Sequence, residues 1–250
     1  MAFICEAHNS SRPYRFVFTT LRMIRDTMQV SSAPTADGEF AIRPESRDGE
    51  EFANCASHVL AFVLTVVVAP FAIDHLAHVS DGGARLTGFV VFAVTMALMY
   101  LSSSIFHGLP AGRRKSRFEL LDRSAIYLFI AGSYSLFAIP TLGHRSTWLV
   151  FGGVWLVAAV GVIITVMDLI KRPQWIAVPY LVLGWLAIGG VATQTGPLGD
   201  LNLMMLVCGG AAYTVGALLY VLSTTLRFGH LVWHVLVVAG SSLHLAAGLA

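Results

Sequence analysis

A chain of 250 residues that is 56% hydrophobic and only 12% charged, with a mean hydropathy of +0.72, lies outside the range of soluble domains and reads as a polytopic membrane protein. Its net charge of +2 is too small for a nucleic-acid-binding surface. Three cysteines, Cys5, Cys55 and Cys208, form no CxxC pair, which argues against a disulfide framework and against a cysteine metal site.

Residues 1–50 hold half of the acidic residues together with Ser, Thr and Pro, and contain no apolar run long enough to cross a bilayer. They read as a largely disordered tail, separate from a transmembrane domain over 51–250. Within the tail Val17, Leu21, Ile24 and Met28 share one helical face, with Arg15, Arg22 and Asp26 on the other. A short helix on the membrane surface and a nascent helix in a disordered tail are the two readings of that pattern. No apolar stretch followed by a small-residue cleavage site appears, so no signal peptide is expected.

Seven apolar segments follow, over 52–73, 86–107, 120–142, 148–167, 175–192, 201–222 and 231–249. At about 1.5 Å per residue each approaches the roughly 30 Å of a hydrocarbon core. Runs of this length without period-2 alternation predict helices, since only helices and closed barrels satisfy their backbone groups in lipid. Pro70, Pro140 and Pro179 lie near segment ends, where they cost little. The expected fold is an all-α bundle of seven transmembrane helices.

Loop charge sets the expected orientation. Arg113, Arg114, Lys115, Arg117, Lys171, Arg172 and Arg227 fall in loops on the side of the tail, against Arg85 and Arg145 on the other side. The positive-inside rule places the N-terminus in the cytoplasm and, after an odd number of spans, the C-terminus outside. That is the inverse of the G-protein-coupled receptors, so the span count alone does not indicate that class.

Of nine histidines, His8 lies in the tail and His75, His78 and His144 lie in outer loops. His107 closes the second segment, and His230 and His234, one helical turn apart, open the seventh. Even and odd helices run in opposite directions, so these three share one depth near the cytoplasmic face. Asp122 opens the third segment, Glu51 opens the first, and Ser103 lies one turn inside His107. Ionisable groups within membrane helices are costly and usually face the bundle interior. Only His244 is comparable in the outer half.

Three imidazoles at one level suit zinc, leaving a fourth position for water, the pattern of a catalytic site. Zinc lowers the pKa of such a water to about 7, Asp122 is placed to orient it or take its proton, and Ser103 is placed to stabilise an oxyanion. Plainer readings stand beside each assignment: an HxxxH pair bonded to backbone carbonyls, Asp122 paired with Arg117 or Arg123, and Ser103 as a small packing residue.

These motifs bring a resemblance into view. Glu51, Asn54 and His58 form ExxNxxxH, Ser103 and His107 form SxxxH, Asp122 stands in LDRSAIY, and His230 and His234 form HxxxH. Over about residues 50–249 the chain resembles the hemolysin III family of bacterial membrane proteins, which groups with the progestin and adiponectin receptors and, more distantly, the alkaline ceramidases. The resemblance implies zinc held by His107, His230 and His234, a water bridging to Asp122, and Ser103 near the metal. Glu51, Asn54 and His58 belong to the pattern without an assigned ligand role. His58 lies about 9 Å along the first segment at the helical rise, deeper than the proposed ligands, and is expected to support or pack rather than to bind. The sequence departs from a common family form at Arg123, a cation adjacent to Asp122 that would weaken it as a base.

The resulting expectation is a zinc-dependent hydrolase of membrane-lipid amides or esters, serving lipid homeostasis in a bacterial inner membrane, with lipid entering between helices. Its rivals are a zinc-stabilised receptor or sensor and a pore-forming cytolytic protein. The last fits least, because a pore needs polar residues at every depth.

Overall fold

The computed structural model describes residues 44–78, 82–143, 145–170, 173–194, 200–223 and 226–250. Asp48–Ala250 forms one compact unit. The tail pattern around Val17 to Met28 lies outside the described residues. Among the described residues seven α-helices follow one another: α1 Pro44–Ala77, α2 Gly82–Gly108, α3 Arg113–Ala138, α4 Arg145–Val166, α5 Pro173–Gln194, α6 Asp200–Leu222 and α7 Gly229–Leu249, with a 3₁₀ turn at Ile139–Thr141 after α3. All seven are long and apolar enough to span a bilayer, and among the described residues no strand occurs.

Two helices begin earlier than their apolar runs suggest. α1 starts at Pro44, a residue suited to the first helical position because its missing N–H would have no partner there. Glu51 therefore lies two turns inside α1. α3 starts at Arg113, so Arg113, Arg114, Lys115 and Arg117 are helical rather than loop residues, and Asp122 lies nine residues into the helix. Arg and Lys are good helix formers, and their long stems allow a helix to continue past the hydrocarbon edge. Gly112, with φ +149°, makes the turn that separates α2 from α3.

α3 is the centre of the bundle. It packs against α2, α4, α5 and α7, and 67% of its spanning window is buried, against 17% for α1. Small residues permit this. A side chain at Gly132 of α3 would collide with Thr95 of α2, so the two backbones approach as closely as they do only because that position lacks a Cβ. The large buried residues Phe89, Phe92, Tyr100 and Tyr134 fill the space around α3. α1 contributes Ala61, Ala72 and Leu76 to the core and leaves Phe52, Leu60, Leu64, Val67 and Phe71 exposed, an outer face suited to lipid. α6 and α7 pack as a close pair.

Candidate metal centre

Three side chains from two helices meet inside the bundle. His107, in the last turn of α2, and His230 and His234, in the first two turns of α7, each offer one ring nitrogen to a group whose ligand atoms all lie within 4.8 Å of one another. Their ring centroids are 4.7–4.9 Å apart. Tetrahedral zinc with imidazole ligands needs nitrogens about 3.4 Å apart, so closure requires each ring to move inward by less than about 1 Å. His107 and His234 are buried, at 5% and 1% exposure, and His230 is half-buried.

Hydrogen bonds select the tautomers that such a site requires. His107 Nδ1 donates to Glu51 Oε2 at 2.8 Å, which leaves Nε2 as the lone-pair nitrogen, and that atom is buried with no hydrogen-bond partner. His234 Nδ1 lies 3.2 Å from the Asn54 carbonyl oxygen and 3.1 Å from Ser57 Oγ, while the Ser57 hydroxyl itself donates to that carbonyl at 2.7 Å. Nδ1–H thus points at α1, and Nε2 remains for a metal. A ligating imidazole whose second nitrogen donates to a carboxylate or a backbone carbonyl is the usual arrangement at metal centres. The unpartnered His107 nitrogen, a buried polar atom with no hydrogen bond, fits a cation better than it fits a packing role.

α1 is the scaffold for both rings. Glu51 fixes His107, the Asn54 carbonyl and Ser57 fix His234, and the Glu50 carboxylate accepts the Phe228 N–H at 3.2 Å. Phe228 sits at φ +57° as the N-cap of α7, a conformation uncommon for an aromatic residue, and the turn it makes delivers His230 two residues later. His58, 3% exposed, lies flat on the His234 ring, 3.7 Å between centroids at 8°, and meets Tyr100 edge-on at 5.1 Å. The stacking places it level with His234 rather than below it. His58 adds no atom to the three-nitrogen group, and both of its ring nitrogens lack hydrogen bonds.

Ser103 is 1% exposed, and its buried hydroxyl is directed at the carboxyl group of Asp122. Asp122 pairs with neither Arg117 nor Arg123 in an ion pair. Arg123 instead donates to the Ile170 carbonyl at 2.7 Å and lies 3.9 Å from both Glu119 and Asp168. Its guanidinium is held by Glu119 and by the segment that follows α4, so it acts on Asp122 as a nearby charge and not as an ion-pair partner. Asn54 supports the site through its backbone carbonyl, and its side-chain oxygen is buried without a partner.

His244 is a different kind of histidine. Nδ1 accepts from Ser133 Oγ at 2.7 Å and Nε2 donates to the Leu206 carbonyl at 3.2 Å, so neither nitrogen is left for a metal. It is a satisfied core residue that joins α3, α6 and α7. Ser57, Glu50 and Lys115 also shape the centre without having stood out in the sequence. Ser57 could have been found, since it lies one helical turn from Asn54 on the same face of α1.

Seven apolar helices among the described residues, with three imidazoles gathered inside them and two of those held in one tautomer by α1, define a multi-pass integral membrane protein with a group positioned to hold a metal ion. The family model described as "Haemolysin-III related" matches residues 48–245, and the chain belongs to that family. It is 32% identical over 196 residues to "Hemolysin-3" of Bacillus cereus, covering 78% of this chain and 88% of the relative. Identity to the "Hemolysin-3 homolog" of Bacillus subtilis (strain 168) is 31% over 193 residues, 77% of this chain and 90% of that one. The human "Monocyte to macrophage differentiation factor" is 26% identical over 204 residues, 78% of this chain and 81% of the relative.

Proposed function

We propose that the protein is a zinc-dependent hydrolase of membrane-lipid amides or esters, working at the cytoplasmic leaflet of a bacterial inner membrane, with His107, His230 and His234 as ligands. The observation that carries the reading is the buried, unpartnered Nε2 of His107 beside two further imidazoles, with its opposite nitrogen held by Glu51. Zinc with three protein ligands supplies a Lewis acid able to make a water nucleophilic near neutral pH. Around it the chain's own residues have separable tasks. Glu51, the Asn54 carbonyl and Ser57 orient ligands; Asp122 accepts a proton; Ser103, buried beside Asp122, donates to a developing oxyanion. A site inside the bundle favours a substrate that arrives from the bilayer, and the bias of positive charge flanking the spans supports entry on the cytoplasmic side.

The test is turnover of ceramide-type amides and phospholipid esters by purified protein in bilayers, with Asp122→Asn and His234→Ala alongside. A hydrolase loses turnover in both variants, by about a hundredfold or more for Asp122→Asn, while that variant keeps its zinc. Undiminished turnover in Asp122→Asn removes the assigned proton acceptor, and absence of turnover on every lipid class leaves zinc in a purely structural role.

A further inference from the structure

Lys115 occupies an unfavourable place for a lysine. It lies in the first turn of α3, a helix end with no acidic residue and no side-chain cap, where the helix dipole disfavours a cation. Yet it is not a free surface charge. Its ammonium donates to Glu51 Oε2 at 2.9 Å and to the Leu109 carbonyl at 3.2 Å, and it lies 5.0 Å from the centroid of the Phe106 ring. The side chain is only 19% exposed. The oxygen it binds is the same one that accepts from His107 Nδ1. Exposed lysine–carboxylate pairs contribute little stability, so a built, three-contact cradle for this one asks for another role.

The shared oxygen provides that role. A carboxylate that accepts from a ligating imidazole makes the ring a stronger electron donor, and a cation on the same oxygen withdraws part of that effect. The cation also adds a positive charge two hydrogen bonds from the ring, opposing a divalent ion. We propose that Lys115 is a positioning residue that fixes the Glu51 carboxylate on His107 while holding the three-imidazole group at reduced metal affinity. Glu51 and Lys115 thus act with opposite sign on one ligand. The inference rests on the reading of this group as a zinc centre.

The experiment measures zinc affinity of the full chain in detergent by competition with a chromophoric chelator, together with the thermal midpoint of the metal-free protein. Wild type binds zinc. Glu51→Gln binds about tenfold or more weakly. Lys115→Met binds at least about threefold more tightly. Lys115→Gln, which keeps an amide donor without the charge, also binds more tightly and stands in if the methionine variant fails to fold. Lys115→Arg, which restores the charge, stays within about twofold of wild type. Weaker or unchanged binding in both neutral variants makes Lys115 a mere strut and overturns the inference while the zinc reading stands. A wild-type protein that binds no zinc removes both.

Discussion

Substituting His244 by alanine separates the two kinds of buried histidine in this bundle. The substitution removes two interhelical hydrogen bonds, to Ser133 and to the Leu206 carbonyl, and the edge-on contact with the Tyr213 ring at 5.3 Å. Hydrogen bonds between membrane helices contribute about 0.6 kcal/mol on average and about 1.7 at most, so the pair accounts for about 1–3 kcal/mol. The void left at a 5%-exposed position adds about 1–3 kcal/mol more. A total of about 2–6 kcal/mol in a unit of this size corresponds to a fall of about 4–24 °C in thermal midpoint. The assay is a thermal melt in detergent with and without zinc, coupled to zinc stoichiometry. The midpoint should drop in both conditions, with the zinc-induced increment and the bound zinc unchanged. Loss of zinc along with stability, or an unaltered midpoint, would refute the assignment of His244 to the core.

Gly132→Ala should destabilise by about 1–3 kcal/mol, because the new methyl group collides with Thr95; adding Thr95→Ala should recover about 1 kcal/mol or more in a double-mutant cycle of thermal or denaturant unfolding. Arg123→Met should cost about 1–2 kcal/mol through the lost bond to the Ile170 carbonyl, while zinc affinity by chelator competition stays within about threefold of wild type. Ser57→Ala removes a hydroxyl that contacts both His234 Nδ1 and the Asn54 carbonyl, and should weaken zinc binding by about tenfold in the same competition assay.

Much of this architecture is legible in the residue pattern, for physical reasons. Hydrocarbon thickness fixes the length of a span, so each of the seven apolar runs coincides with a helix. Antiparallel threading sets depth, so His107 at the end of one helix meets His230 and His234 at the start of another. Helix boundaries were harder to read. A charged run such as Arg113 to Arg117 looks like a loop to any hydropathy argument, yet it is the first turns of α3. That same misreading concealed Lys115, whose significance depends on a carboxylate 64 positions earlier in the chain.

Supporting contacts were also hidden by being backbone contacts. Asn54 belongs to a recognisable motif, but what it offers His234 is a carbonyl that any residue possesses. The cation beside Asp122 in the sequence looked like its partner, yet successive residues of a helix project in different directions, and Arg123 reaches Ile170 instead. Spacing within a helix is readable from one sequence; which ring a side chain reaches across the bundle is set by packing.

The central claim is that His107, His230 and His234 together hold one metal ion. Elemental analysis of the protein purified from zinc-supplemented cells, beside a variant carrying alanine at all three positions, measures it directly. One zinc per chain in the wild type and none in the triple variant is the predicted outcome; equal zinc in a folded triple variant, or a wild type purified without metal, would contradict it.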